Sequence, residues 1–175
     1  MSKWVIDALH SEIGFKVKHL VISTVSGKFT AFEGTIDSSK EDFSDAKISF
    51  SADISSIHTG QEQRDGHLKS ADFFDAEKFP KLSFANGTLV AAGGSDYKLK
   101  GDFTLHGVTK PIELEAEFGG IQIDLYGQTV AGFEVTGKIK RSDFGLSWSA
   151  TTEAGGLVVG DDVKIHINAE LVKKD

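Results

Sequence analysis

The chain contains no cysteine and no long apolar run, and each absence excludes a class of protein. Without cysteine there are no disulfide bonds, no thiolate metal sites and no cysteine nucleophile. No apolar run approaches the length of a membrane-spanning helix, so membrane insertion is not expected. The opening residues show no secretory signal sequence. The expected compartment is therefore the cytoplasm, with the periplasm as the alternative if a signal peptide has been removed.

Positive charge is also scarce, because 19 Lys and Arg stand against 26 Asp and Glu, giving a formal net charge of −7. An acidic chain repels phosphate backbones and anionic lipid headgroups, so nucleic acid and membrane surfaces are poor partners. The densest basic spot contains Lys138, Lys140 and Arg141. Lys138 and Lys140 are two residues apart, so on a strand they share one face, and this spot is interpreted as a solvated strand face.

The histidines give no metal-binding pattern. Six histidines are scattered without an H-x-x-x-H or H-x-H pair, whereas zinc sites usually contain a close pair of ligands. Structural or surface roles are therefore predicted for them, with no metal ion and no other cofactor. Asp161 and Asp162 beside Gly160 lack the alternating oxygen ligands of a calcium loop, which indicates a solvated turn.

What the chain does contain is an apolar/polar alternation of period two along most of its length. Residues 163–171 show it most clearly, with apolar or small side chains at odd positions and polar ones at even positions. A strand places successive side chains on opposite faces, so each such strand has one apolar face. Because little helix is available to cover these faces, the sheet is expected to close into an antiparallel barrel. About eight long strands are predicted, in one domain over residues 1–175.

One stretch, residues 59–76, lacks the period of two. Thr59 and Glu62 have the spacing of a capping box, which predicts a short helix over about residues 60–70. A lone helix in a β-barrel usually plugs or covers one end of the barrel.

Interruptions of the alternation predict one bulge and several turns. Phe29 and Phe32 lie three residues apart, and a bulge near Thr30 and Ala31 would return both rings to one face. Turns are predicted at the glycine-containing breaks, namely Asn86–Gly87, Gly93–Asp96, Gly119–Gly120, Gly155–Gly156 and Gly160–Asp162.

The segment from Arg141 to Gly145 follows the end of a predicted strand. It is interpreted as a corner in which Arg141 and Asp143 form an ion pair and Gly145 permits the turn. A role of this segment in ligand binding is the alternative.

Phe is the dominant aromatic residue, with 13 copies against 2 Tyr and 2 Trp. Its ring is large and has no polar atom, so a Phe-rich interior suits a dry cavity. Barrels of about eight strands lie between filled and hollow, and small residues on the same face, such as Gly101 and Ala116, favour a cavity. The predicted lining is Phe15, Val17, Phe29, Phe32, Ile48, Phe50, Phe84, Phe103, Leu105, Leu114, Phe118, Phe133 and Ile165.

A series of sequence blocks, in order along almost the whole chain, resembles the YceI family of domains. The blocks read WVID with HS and IGFxVxHL, VSGxF, SIxT, RDxHLxSxDFFD, FP, GxFTLHGVTKP and RSDFG. The resemblance implies an extended, lipocalin-like antiparallel barrel of eight strands with one helical segment. It further implies that the barrel carries a long apolar molecule, such as a polyisoprenoid or fatty-acyl chain, and that the protein forms a homodimer. Many members of the family are exported to the periplasm.

Three functions are open on the sequence. The favoured one is a non-catalytic binding or carrier protein for such an apolar molecule, with Arg64 or His67 contacting its polar head at the cavity mouth. The second is an enzyme for a small substrate that uses Arg64, Asp65 and His67. Residues two apart on a helix do not face each other, and no nucleophile or oxyanion loop is evident. The third is a packed barrel that acts through its outer surface as a stress or interaction module.

Overall fold

The structure is a computed structural model that describes residues 1–20, 22–148 and 159–174. Within these residues one α-helix, α1 (Glu62–Lys69), accompanies eleven strands, and short 3-10 turns lie at Ala8–His10, Ile54–Ser56 and Arg141–Phe144. The strands are β1 (Ser2–Ile6), β2 (Glu12–His19), β3 (Ser23–Phe29), β4 (Phe32–Ser38), β5 (Lys47–Asp53), β6 (Ile57–His58), β7 (Lys81–Gly93), β8 (Asp96–Leu105), β9 (Val108–Ile123), β10 (Thr129–Lys140) and β11 (Val159–Lys173).

Eight of the strands close an antiparallel barrel. Around the ring the hydrogen-bonded order is β1, β4, β5, β7, β8, β9, β10, β11 and back to β1. Strand β11 is long enough that one edge pairs with β1 near its C-terminal end and with β2 along the rest. The sheet then continues from β2 to β3 and from β3 to β6. The predicted eight-stranded barrel with one helix is confirmed.

The alternation decides which side chains face the interior. In β11, Ile165 and Ile167 pack against the core, while the neighbouring residues Lys164 and His166 are exposed. No helix in the described part of the chain has the length and apolar character needed to cross a membrane.

Several predicted interruptions take a different form in the structure. The predicted bulge at Thr30 and Ala31 is wrong, because these two residues connect β3 to β4 and do not lie inside one strand. The predicted turns at Asn86–Gly87 and Gly119–Gly120 are wrong, because both pairs lie inside strands at register shifts. They form bulges, in which Asn86 (φ 55°) and Gly120 (φ 107°) adopt positive φ.

The remaining predicted turns have mixed outcomes. The turn in residues 93–96 is confirmed, since it joins β7 to β8. Gly155–Gly156 lies outside the described residues. The predicted turn at residues 160–162 is wrong, because these residues belong to β11, where its register against β2 shifts.

The predicted helix is confirmed, but the predicted capping box is wrong. Gln61 is the N-cap residue, and its side chain makes no capping hydrogen bond. The backbone N–H of Thr59 instead donates to Oδ1 of Asp65, at 2.9 Å, and the Thr59 hydroxyl donates to the same oxygen. Thr59 therefore ties the helix to the chain that leads into it.

One end of the barrel is filled by the loop between β4 and β5, residues 39–46. Phe43 in this loop is fully buried, with 0% of its surface exposed, and has a positive φ of 59°. Its ring packs edge-on against Trp4 at 5.1 Å, Phe118 at 5.4 Å and Phe133 at 5.3 Å between centroids. This loop is called the plug below.

Hydrogen bonds hold the plug in place. The Ser38 hydroxyl donates to Oδ1 of Asp45 at 2.6 Å, and the Ser39 N–H donates to Oδ2 of Asp45 at 3.0 Å. From the barrel wall, the Tyr97 hydroxyl donates to the carbonyl oxygen of Asp42 at 2.8 Å. The apolar ring is thus carried into the barrel by a polar loop whose own groups are satisfied.

Candidate binding cavity

An apolar cavity of about 420 Å³ lies inside the barrel. It extends from the side chains that pack around the plug to helix α1. Inward-facing side chains of the strands form its wall, and residues of α1 and of the segment that follows it line the opposite end. Its volume is in the range of small-molecule binding sites. The barrel is therefore hollow and not packed throughout.

Eleven of the thirteen residues predicted to line a cavity lie along this wall. They are Phe15, Val17, Phe29, Ile48, Phe50, Phe84, Phe103, Leu105, Leu114, Phe133 and Ile165. Phe32 and Phe118 do not line it. The Phe32 ring packs against Phe50 at 6.1 Å, and the Phe118 ring stacks on Phe133 at 5.0 Å. Both rings still face the interior, because Phe118 lies opposite Phe133 and packs against Phe43 of the plug, while Phe32 lies opposite Ala52 and packs against the core.

Glycines on the inner face explain how so many rings leave the cavity open. The Phe84 ring covers Gly101 and Gly87, and the Phe15 ring covers Gly27. A Cβ atom on any of these glycines would overlap the ring that covers it. Without a Cβ there, each ring can lie along the wall and need not project across the bore.

Arg64 lines the cavity at the end near α1. Its Nε donates to the Thr59 hydroxyl at 2.8 Å, and its Nη2 donates to the Thr59 carbonyl at 2.7 Å. Within the described part of the chain, Nη1 makes no hydrogen bond and no carboxylate lies within 4.0 Å of the guanidinium. Arg64 therefore presents hydrogen-bond donors at the edge of an apolar space.

Asp65 and His67 do not form an acid–base pair. Asp65 is buried, accepts hydrogen bonds from Thr59, and has Nδ1 of His58 at 3.7 Å. His67 instead has its Nε2 at 2.9 Å from Oδ2 of Asp72. The helix thus holds these two side chains apart, as expected for residues two apart.

The ring of His67 belongs to an aromatic cluster at the same end of the cavity. It packs edge-to-face against Phe73 at 5.1 Å and against Trp148 at 4.9 Å, and the latter two rings lie 5.0 Å apart. All three residues line the cavity. This end, called the mouth below, is therefore covered by side chains, whereas the far end is filled by a loop.

Arg141 is a buried cation at the mouth, and its partners are backbone carbonyls. Its Nε donates to the carbonyl of Gly160 at 2.8 Å, and its Nη1 donates to those of Leu146 at 2.6 Å and Trp148 at 2.7 Å. Its Nη2 donates to the carbonyl of Val159 at 3.2 Å. One side chain thus joins the chain after β10 to the start of β11.

The predicted ion pair between Arg141 and Asp143 is wrong, because the guanidinium is occupied by backbone carbonyls. Burial lowers the pKa of Arg141 from its ordinary value, and the nearby charge of Asp161 opposes that change. Asp161 itself accepts hydrogen bonds from the N–H and hydroxyl of Ser142, at 2.9 and 2.8 Å. Gly145 permits the turn as predicted, with a φ of 74°.

A separate polar cluster lies near the plugged end of the barrel. Asp7, His10 and Glu170 present ligand-type atoms within 4.8 Å of one another. Oδ2 of Asp7 is 2.6 Å from Nδ1 of His10, and its Oδ1 accepts from the N–H of Leu9. The hydrogen bond to Asp7 raises the pKa of His10. These contacts cap the turn after β1 and do not involve the cavity.

A closed antiparallel barrel with an apolar interior, filled at one end and helix-covered at the other, has the architecture of barrels that can enclose a ligand. The chain belongs to the YceI-like domain family, which matches residues 4–171. A UPF0312 protein of Staphylococcus aureus strain MSSA476 is 36% identical over 171 residues, which cover 97% of each chain. The resemblance found in the sequence is confirmed.

Solved structures share the fold. A YceI protein of Campylobacter jejuni is 34% identical, with a TM-score of 0.77 over 90% of each chain. BcnA of Burkholderia cenocepacia is 19% identical, with a TM-score of 0.82 over 94% of this chain and 98% of that one. A polyisoprenoid binding domain from Saccharophagus degradans is 16% identical, with a TM-score of 0.69 over 98% of each chain.

Proposed function

We propose that this protein is a non-catalytic binding protein that holds a long apolar molecule, of the polyisoprenoid or fatty-acyl class, inside the barrel. The observation that carries the proposal is the cavity of about 420 Å³ with an almost wholly apolar wall. Such a space favours a ligand without hydrogen-bonding groups along its length, because a buried polar group without a partner is costly.

Burial of apolar surface can supply the affinity. Each buried methylene contributes about 0.8 kcal/mol, so ten methylenes contribute roughly 8 kcal/mol before the cost of association is subtracted. A longer chain therefore binds usefully even if none of its atoms accepts a hydrogen bond.

The mouth offers a place for a polar head group. Nη1 of Arg64, which makes no hydrogen bond to a residue that the structure describes, and the ring of His67 lie at the end of the apolar wall. A guanidinium binds carboxylate or phosphate through its fork of donors. We propose that a head group of this kind stays at Arg64 while the apolar chain lies along the bore.

Two relatives add support of different kinds. The polyisoprenoid binding domain from Saccharophagus degradans has the same fold, and its ligand class suits this cavity. The UPF0312 relative covers 97% of this chain, so the family resemblance includes every cavity-lining strand. A role in transport, a homodimeric state and a cytoplasmic location stay predictions.

Native mass spectrometry tests the proposal. We expect the purified protein to take up a polyprenyl phosphate or a long-chain fatty acid in a one-to-one complex. Release of the ligand with unchanged mass is the expected result for a protein without catalytic activity. A protein that stays ligand-free on titration with both classes contradicts the proposal.

A matched pair of variants ties uptake to the bore. In Gly101→Ala the new methyl group displaces the Phe84 ring from the wall towards the bore, with an overpacking cost of about 1–3 kcal/mol. In Gly132→Ala the new methyl group has no neighbour within 4 Å. We expect weaker ligand uptake in Gly101→Ala alone, provided that thermal unfolding shows both variants to be folded. Equal uptake by the two variants would mean that the ligand lies elsewhere.

A further inference from the structure

The outer surface of four neighbouring strands carries a concentration of lysines that the acidic composition conceals. These strands are β2, β3, β10 and β11, and six exposed lysines lie on their outer side. The six, called the basic face below, are Lys16, Lys18, Lys28, Lys138, Lys140 and Lys164.

Strand register places three of these lysines in one row. Lys164 is directly opposite Lys16 on one side and Lys138 on the other. Like charges in directly opposed positions destabilise a sheet. Within the described part of the chain, Lys138 is the only member of the basic face with a carboxylate within 4.0 Å, that of Asp162 at 3.7 Å. The face therefore retains most of its positive charge, which favours an anionic partner.

An apolar hairpin tip adjoins the basic face. The turn between β2 and β3 includes Leu20 and Ile22, and 85% of the Ile22 side chain is exposed. Leu20 has a positive φ of 55°, a conformation that costs energy for a branched aliphatic residue and is usually taken by Gly or Asn. The sequence thus keeps aliphatic residues at a turn where smaller polar ones fit with less strain.

The hairpin lies at the mouth of the cavity. Lys18 and His19 at the end of β2, and Val25 near the start of β3, line the cavity together with Arg64. The basic face, the apolar tip and the mouth are therefore continuous with one another.

A second exposed apolar tip has the opposite surroundings. Leu125, which is 100% exposed, lies in the turn between β9 and β10 at the plugged end. The carboxylates of Asp124 and Glu170 are near this end, where both act electrostatically on His10. Charge and access to the cavity therefore distinguish the two tips.

We propose that the basic face and the tip formed by Leu20 and Ile22 dock the barrel, mouth first, on a bilayer that contains anionic lipids. The lysine ammonium groups would contact lipid phosphates, while the aliphatic tip enters the shallow apolar region of the interface. Charge interactions are screened over about 8 Å at physiological salt, so this face, and not the net charge of the chain, governs the contact. Docking is a property separate from ligand binding. Its use would be the passage of a lipid between the bilayer and the bore, and that use rests on the proposed function.

A bilayer suits this surface better than a nucleic acid does. Nucleic acid phosphates could contact the lysines, but they provide no apolar environment for Ile22. The basic face also contains no arginine, the side chain most often used for specific base contacts.

Vesicle flotation tests the docking. We expect the protein to float with vesicles of phosphatidylcholine and phosphatidylglycerol at low ionic strength and to dissociate from them at high salt. We expect no binding to vesicles of pure phosphatidylcholine. Each basic residue near an anionic surface contributes about 1 kcal/mol, or roughly a factor of five. The double variant Lys16→Gln/Lys164→Gln is therefore expected to bind about 30-fold more weakly.

Matched variants at the plugged end serve as controls. Lys40→Gln/Lys47→Gln removes the same charge from exposed positions in the plug and next to it, and Leu125→Ser removes the most exposed aliphatic side chain of the other tip. We expect both to bind vesicles like the unmodified protein, and Ile22→Ser to bind more weakly. No binding to anionic vesicles, equal losses in the control variants, or tight binding to duplex DNA without vesicle binding would each overturn the proposal. Vesicle binding without ligand uptake would support docking and refute the proposed function. Ligand uptake without vesicle binding would support the proposed function and refute docking.

Discussion

Replacement of Arg141 by Met is expected to lower the stability of the barrel by about 3 kcal/mol. The guanidinium donates to four backbone carbonyls, of which that of Leu146 is the most deeply buried. Water can replace the donor at the more accessible carbonyls, whereas each buried carbonyl left without a donor costs about 1–3 kcal/mol. For a domain of this size, about 3 kcal/mol corresponds to a decrease in Tm of roughly 6–12 °C.

Thermal unfolding followed by circular dichroism measures this effect. Arg141→Lys keeps the positive charge but cannot span four carbonyls, so its Tm is expected to lie between those of the unmodified protein and Arg141→Met. The other arginine of the chain gives the control, because among the described residues Arg64 donates only to Thr59, and Arg64→Met should change the stability by less than about 1 kcal/mol. A decrease of less than about 2 °C in Arg141→Met would refute the assignment of this side chain as the tie at the mouth.

Two further predictions concern the plug. Phe43→Ala should lower the free energy of unfolding by about 3–5 kcal/mol, measured with urea, because the ring is fully buried among three aromatic neighbours; a loss below about 1 kcal/mol would mean that the plug does not fill the barrel in solution. Hydrogen bonds from Ser38 and Ser39 hold the pKa of Asp45 far below its ordinary value, so its stabilisation is complete above about pH 4 and is lost as the pH falls further. In urea titrations the stability difference between the unmodified protein and Asp45→Asn should therefore shrink in acid, and a difference independent of pH contradicts the assignment.

The apolar/polar alternation of the sequence was sufficient to predict the barrel fold and most residues of the cavity wall. Residues such as Phe15, Leu114 and Ile165 lie in uninterrupted stretches, where the inward direction follows from position alone. Phe32 and Phe118 also face the interior but lie outside the cavity wall, because alternation assigns the face of a side chain and not its position along the bore. Asn–Gly and Gly–Gly pairs fit a turn and a bulge equally well, because both need positive φ.

Three features depended on contacts that a linear pattern does not record. Arg141 binds backbone carbonyls, which have no residue identity that a motif could reveal. Phe43 is one ring in a polar loop, and its isolation there was the only signal of its burial. The lysine row across Lys16, Lys164 and Lys138 exists only through strand register, so composition gave an expectation of an acidic surface that does not hold for this face.

The plug closes one end of the barrel, so among the described residues the mouth, covered by side chains and α1, is the end through which a ligand can pass. Any molecule held inside must leave by the way it came, and a chain with a bulky head must enter tail first. The distance from Phe43 to Arg64 would then set the maximum length of a bound tail, because the plug blocks a longer one. Selection among ligands would fall on their length more than on their chemical detail.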